Sequence, residues 1–191
     1  MAQTQMSANL KLINAVFAAM LVGMVGYFIY WGLGYTHYNH SILFIIATMF
    51  GVFMAFNVGG NDIANSFGTS VGSGTLTIPQ ALLIAAVFEV SGAVIAGGEV
   101  TDTIRKGIVD LNGIDLQPMQ FVFIMMSALL AAALWLLFAS RKGLPVSTTH
   151  AIIGGIVGSA VCMAVMNNMN AGDLIQWSKL GEIALSWVLS P

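Results

Sequence analysis

The chain has 191 residues, of which 58% are hydrophobic and 7% are charged, and its formal net charge is −2 at pH 7. Soluble domains carry about 25% charged residues, so this composition excludes a soluble globular protein covered by polar side chains. The small negative charge also argues against a nucleic-acid partner, which needs a clustered basic face. A mean hydropathy of +0.87 favours lipid as the solvent of the chain.

Apolar runs of about 20 residues, the length needed to cross a bilayer, recur along the chain. The first covers residues 13–33 and ends among Tyr30, Trp31 and Tyr35, which suit a membrane–water interface. The later runs are residues 42–56, a shorter stretch at 63–71, and residues 80–96, 119–139, 144–166 and 177–189. Residues 97–118 form the long polar segment, predicted to be an extramembrane loop with a short helix near residues 101–109. The pattern predicts an all-α, polytopic membrane helix bundle.

A first polar intrusion interrupts the second run. It contains the glycine pair at 59–60, followed by Asn61, Asp62 and Asn65. An Asp inside a membrane segment costs about 3 kcal/mol and each glycine lowers helix propensity by about 1 kcal/mol. Together they predict a helix broken at membrane depth, where carbonyl, Asn and Asp oxygens would coordinate a small cation. The alternative is a simple turn between two short helices, with Asp62 as an N-cap.

A second polar intrusion lies at the start of the run at residues 144–166. Pro145 and Val146 are followed by Ser147, Thr148 and Thr149, and then by an apolar segment. Hydroxyl groups beside the unpaired backbone N–H groups of a helix start form an anion site. The alternative is plain capping by Ser147 or Thr148 with no ligand bound.

Glu89 is the acidic residue inside the run at 80–96. A buried carboxylate without a partner takes up a proton more readily than it stays charged. Two readings remain open, a carrier of protons or cations and a neutral structural acid that forms hydrogen bonds.

These residues resemble the inorganic phosphate transporter (PiT) family of cation-coupled symporters. The family's signature is similar to the stretch Gly-Gly-Asn-Asp-Ile-Ala-Asn-Ser-Phe-Gly-Thr-Ser-Val-Gly-Ser at residues 59–73. Further matches are Phe88-Glu89, Thr103-Ile-Arg-Lys-Gly-Ile108 and Pro145-Val-Ser-Thr-Thr-His150. The resemblance covers residues 51–191, and the run at 13–33 looks like an extra helix found in the bacterial low-affinity phosphate transporter branch.

The resemblance implies a fold of two inverted repeats, each with a broken helix and a re-entrant helical hairpin. Residues 1–40 would be the extra transmembrane helix, and residues 41–191 the first repeat. Ser147, Thr148 and Thr149 would bind phosphate. Asn61, Asp62 and Asn65 would bind the coupling cation, either Na⁺ or H⁺, with any metal limited to Na⁺ at Asn61 and Asp62. The first hydroxyl motif, at residues 147–149, would form the tip of the first hairpin.

The function implied is symport of inorganic phosphate across the inner (cytoplasmic) membrane by a protein that is not an enzyme and has no cofactor besides its coupling ion. A second Asn-Asp motif and a second hydroxyl motif are missing from the sequence, so the chain is expected to be an N-terminal half that needs the second repeat, in a protein that forms homodimers. Free phosphate, a neutral metal–phosphate complex and arsenate all fit the hydroxyl motif.

Two alternatives belong to other classes. Ser147, His150 and Asp62 supply the residue types of an intramembrane hydrolase, but no G-x-S-x-G elbow surrounds the serine. A non-transporting membrane subunit that only packs against partners would tolerate alanine at Ser147, Thr148 and Asp62.

Overall fold

The chain is built of long α-helices. The computed structural model describes residues 2–109 and 117–189, with the side chains of residues 2–10, 13, 105 and 106 outside that description. The helices of these ranges are α1 (Ala2–Tyr35), α2 (Ser41–Gly72), α3 (Ile78–Gly107), α4 (Pro118–Arg141), α5 (Thr148–Met166), α6 (Ala171–Leu174) and α7 (Trp177–Leu189). Five of them contain segments long and apolar enough to cross a membrane, namely Asn14–Tyr35, Ser41–Gly72, Ile78–Ile104, Pro118–Arg141 and Thr148–Met166. The predicted all-α membrane bundle is confirmed.

The residues form two compact units, of which Met1–Val52 is the first. In this unit the ring of Phe28 on α1 stacks on Phe44 of α2, with the ring centroids 5.8 Å apart. Gly32 faces the same ring, and a Cβ atom at this position would collide with it. A glycine therefore allows α1 and the start of α2 to approach closely.

The second unit, Phe53–Pro191, is organised around the pair formed by α4 and α5. Small side chains line their contact, including the buried Ala128 of α4 and Ala160 of α5. A Cβ atom at Gly155 would lie 2.8 Å from the carbonyl oxygen of Ala128. Small residues at such a crossing let two helices pack backbone to backbone, as membrane helices commonly do. This packing fixes where the N-terminus of α5 lies relative to the C-terminus of α4.

The far end of this pair is closed by residues at the ends of α3 and α6. Ile108 and Val109 are buried together with Leu174 and Ile175. Val109 and Ile175 form an isolated antiparallel bridge, and the backbone N–H of Gln176 donates to the Ile108 carbonyl at 2.9 Å. The end of α3 is thereby tied to the segment between α6 and α7.

The prediction of a helix broken at the glycine pair is wrong, because α2 runs unbroken from Ser41 to Gly72. A break inside a membrane would leave backbone N–H and C=O groups without partners, at several kcal/mol each. The two glycines cost only about 1 kcal/mol each, so the continuous helix has the lower energy. The chain turns only after Gly72, and Gly74 takes a φ of 77° in that turn. Whether the hairpin that includes α5 is re-entrant stays a prediction.

The polar segment after the third run also differs from expectation. Helix α3 continues through Gly97 and Gly98 to Gly107, where an extramembrane loop with a short helix was predicted. The hydroxyl groups of Thr101 and Thr103 donate to carbonyls one turn earlier, so these polar side chains are satisfied within a helix. Residues 110–116 of the predicted loop lie outside the described residues.

Candidate functional site

The polar residues of the first intrusion occupy successive turns of α2. Asn57 and Asn61 are buried, with 5% and 4% of their surface exposed. The side-chain amide of Asn57 donates to the Phe53 carbonyl at 2.7 Å, which is a hydrogen bond within α2. Asn61, Asp62 and Asn65 lie one turn further, at the i, i+1 and i+4 positions that place Asn61 and Asn65 on one face.

Asn61 and Asn65 are joined by hydrogen bonds to each other and to the region between α4 and α5. Asn65 Nδ2 donates to Asn61 Oδ1 at 2.9 Å and to the Val146 carbonyl at 3.3 Å. Asn61 Nδ2 donates to Ser140 Oγ at 3.3 Å. The two asparagines thus link the interior of α2 to the last turn of α4 and to the segment before α5.

Asp62 meets the hydroxyl motif directly. The Thr148 hydroxyl donates to Asp62 Oδ2 at 3.2 Å, across 86 positions of sequence. Both residues are partly buried. The carboxylate predicted to bind a cation and a hydroxyl predicted to bind phosphate are therefore neighbours.

Ser147 caps helix α5. Its side chain accepts a hydrogen bond from the backbone N–H of His150 at 3.3 Å, and its φ of −81° and ψ of 121° are those of an N-cap residue. The capping interpretation therefore holds for Ser147, while its hydroxyl hydrogen can still be donated to a ligand. Thr149 is exposed at the first turn of the same helix.

Glu89 and the end of the signature stand apart from this hydrogen-bonded cluster. Glu89 is exposed on α3, near enough to Asp62 for repulsion between two negative charges, and no hydrogen bond of the described residues joins the two side chains. Ser73 and Thr75, in the turn after α2, bond to each other at 2.9 Å. The hydrogen bonds of the described residues leave this turn unconnected to Asp62.

Sequence reasoning missed three contributors. Ser140 ends an apolar run, the Val146 carbonyl carries no side-chain signal, and Trp187 lies in the last helix. The ring centroids of Trp187 and His150 are 3.7 Å apart, which packs α7 against the start of α5. Ser140 stands out in the sequence as a polar residue directly before Arg141, but nothing there indicates its contact with Asn61. A backbone carbonyl and a helix contact across 37 positions carry no sequence signal. Among the described residues, no group of three or more His, Cys, Asp or Glu side chains is placed to hold a metal ion.

A bundle of membrane-length helices, in which a carboxylate inside one helix meets the hydroxyl-bearing start of another, defines a multi-pass integral membrane protein. The chain belongs to the phosphate transporter family, whose model matches residues 58–191. The members compared below are named as transporters or permeases, which agrees with the prediction that the chain is not an enzyme.

Individual relatives extend over most of the chain. A protein of Mycobacterium bovis named "putative phosphate permease" is 58% identical over 178 residues, covering 92% of this chain and 32% of its own length. The chloroplastic inorganic phosphate transporter 2-1 of Arabidopsis thaliana is 46% identical over 151 residues, covering 79% of this chain and 25% of its own length. The solved structure of a sodium-dependent phosphate transporter matches with a TM-score of 0.70 and 42% identity, covering 78% of this chain and 36% of the other. The chain therefore spans about a third or less of the length of these relatives.

Proposed function

We propose that this chain is one half of a symporter that moves inorganic phosphate together with sodium across the cytoplasmic membrane. Asp62, Asn61 and Asn65 belong to the cation side of the site, and Ser147, Thr148 and Thr149 to the phosphate side. The observation that carries the proposal is the hydrogen bond between Thr148 and Asp62, because it puts the two sides in contact.

The phosphate side depends on the start of α5. The first N–H groups of a helix have no partner within it and carry the positive end of the helix dipole. Hydroxyl groups at these positions add donors that fit the oxygens of a tetrahedral anion. Thr148 and Thr149 occupy the first two positions of the helix, directly after the cap.

The contact with Asp62 makes phosphate binding depend on a cation. Two unit charges 4 Å apart interact by about 4 kcal/mol at an effective dielectric constant of about 20. A phosphate at Thr148 would be repelled by this amount from a bare Asp62 carboxylate, and Glu89 adds a second negative charge nearby. A monovalent cation on Asp62 neutralises the carboxylate and removes that repulsion, so both ligands bind best together.

The same contact makes the Thr148 hydroxyl sensitive to a cation. Its hydrogen is donated to Asp62 in the structure. A cation that takes over the carboxylate oxygen frees this hydrogen for a phosphate oxygen. Alternating access then carries both ligands when one repeat rocks against the other. The second repeat belongs to the remaining length seen in the relatives, and a homodimer is the assembly we propose.

Sodium is proposed over the proton because the solved relative is named as sodium-dependent and because carboxylate and amide oxygens suit a hard cation. Glu89 is proposed as an auxiliary carrier of a proton or cation, since it lies within electrostatic range of Asp62. Free phosphate is the proposed substrate. Competition of a neutral metal–phosphate complex or of arsenate with radiolabelled phosphate for uptake distinguishes these alternatives from it.

The test is uptake of radiolabelled phosphate into proteoliposomes that contain the complete transporter, with an inward sodium gradient or an inward proton gradient. We expect sodium-driven uptake that falls about tenfold or more in Thr148→Ala, the scale of losing a hydrogen bond to a charged ligand. Thr101→Ala is the matched control, because the Thr101 hydroxyl bonds only within α3 in the described hydrogen bonds. Uptake driven only by protons would contradict sodium coupling. Folded protein without uptake under either gradient would favour the packing-subunit alternative.

A further inference from the structure

We infer that Ser140 is a positioning residue for the coupling-cation site, which it serves by holding Asn61 and, through Asn61, Asn65. The inference rests on the proposed function, since it concerns the same cation. Ser140 lies in the last turn of α4, 79 positions away from Asn61, and it does not contact Asp62 in the described hydrogen bonds.

The hydrogen bonds of Asn65 and Asn61 can run from donor to acceptor in one order only, and the Val146 carbonyl determines this order. A carbonyl oxygen accepts hydrogen bonds and donates none. Asn65 must therefore face Val146 with Nδ2, as it does at 3.3 Å. The same Nδ2 donates to Asn61 Oδ1 at 2.9 Å, so both of its hydrogens are engaged. Asn61 must in turn direct its own Nδ2 away from Asn65, towards Ser140.

This arrangement decides which oxygens are left for a cation. Asn61 Oδ1 already accepts a hydrogen bond from Asn65 and belongs to a side chain that is only 4% exposed, which makes Asn61 a spacer rather than a ligand. Asn65 Oδ1 accepts no hydrogen bond from the described residues, and it belongs to a side chain exposed at the site. Asp62 and Asn65 are three positions apart on α2 and therefore neighbours on the helix surface. The pair that remains is the Asp62 carboxylate and Asn65 Oδ1.

Ser140 completes the arrangement because Asn61 is 4% exposed. A buried amide N–H without an acceptor is costly, so loss of the Ser140 hydroxyl would drive Asn61 to a new rotamer. Asn65 would then lose its acceptor at Asn61 Oδ1 and its fixed orientation. Groups that orient metal ligands in this indirect way change metal affinity by about 10- to 100-fold when they are removed.

The experiment measures phosphate uptake by the complete transporter in proteoliposomes, as a function of sodium and, separately, of phosphate at saturating sodium. In Ser140→Ala we expect the half-saturating sodium concentration to rise about 10-fold, with the half-saturating phosphate concentration within about twofold of the parent value. Ser140→Thr keeps the hydroxyl and should restore the sodium response. Ser127→Ala removes a hydroxyl from another face of the same helix, beside Gly154 and Gly158, and should leave both values unchanged.

Three results would overturn the inference. They are an unchanged sodium response in Ser140→Ala, an equal loss of apparent sodium and phosphate affinity, and a failure of Ser140→Thr to restore the response. A parent protein that takes up no phosphate under a sodium gradient would instead contradict the proposed function, and the inference would fall with it. The parent assay separates these two kinds of failure, since it precedes the variants.

Discussion

The two polar segments of the second unit differ in which of their groups are available to a ligand. Residues 57–65 lie within a continuous helix, so their backbone groups are already paired and only side chains are available to a ligand. Residues 145–150 lead into a helix start, where backbone N–H groups are free and side chains only supplement them. A carboxylate and amide oxygens suit a cation, whereas free N–H groups suit an anion. The comparison predicts that a polar segment within a helix binds a cation through its side chains, and that one at a helix start binds an anion through backbone N–H groups.

The strongest way to break this comparison is to remove the charge from the interior segment. Asp62→Asn keeps the size and a hydrogen-bonding oxygen for Thr148 but abolishes the attraction for a cation. Because that attraction is worth several kcal/mol at close range, we expect sodium-driven phosphate uptake to fall about 100-fold or more. Radiolabelled uptake in proteoliposomes measures it. Full uptake in Asp62→Asn would remove the cation role from α2.

The interior asparagines offer the control for that experiment. Asn57→Ala affects a side chain whose hydrogen bond, among the described residues, lies within α2, so it should change transport far less than Asp62→Asn does. A comparable loss in both variants would point to a general requirement for the helix rather than to cation binding.

The second prediction concerns the packing that brings the two segments together. In Gly155→Ala the added methyl group would lie 2.8 Å from the Ala128 carbonyl, so α4 and α5 must move apart. Overpacking of this kind costs about 1–3 kcal/mol, and we expect a lower Tm of the detergent-solubilised transporter. Gly154→Ala is the matched control, because no atom lies within 4 Å of its added Cβ and alanine improves helix propensity by about 1 kcal/mol. Equal Tm changes of the same sign in the two variants would contradict the close crossing.

Much of this fold follows from the sequence, because the length of an apolar run directly reports a membrane helix. The start of α5 at Thr148 and the extent of α7 were both apparent from composition and from the hydroxyl motif. The unbroken course of α2 could not be predicted in this way. The sequence shows the two glycines that weaken the helix, whereas the cost of unpaired backbone groups depends on the surrounding lipid.

Part of the site could also be predicted from the sequence. Asp62, Asn65 and Thr148 are polar residue types within apolar runs, and the structure brings them together. Ser140 and the Val146 carbonyl enter only through the packing of α2 against the junction of α4 and α5. No pattern within a single segment encodes that contact, so it could not be predicted from the residues alone.

The smallest expected effect sharpens the comparison at the helix start, where capping and anion binding use the same serine. Ser147→Ala removes the acceptor for the His150 N–H, and the loss of an N-cap costs about 1 kcal/mol, which a small decrease in Tm would report. Ser147→Asp restores the cap, because aspartate is as good an N-cap residue as serine. Its negative charge would nevertheless repel a phosphate at the first turn of α5. We therefore expect Ser147→Asp to keep the parent Tm but to raise the half-saturating phosphate concentration about 10-fold, or about 1.4 kcal/mol. If Ser147→Asp keeps both the Tm and the phosphate response of the parent, the start of α5 is a capped helix end without a ligand, and phosphate must bind elsewhere.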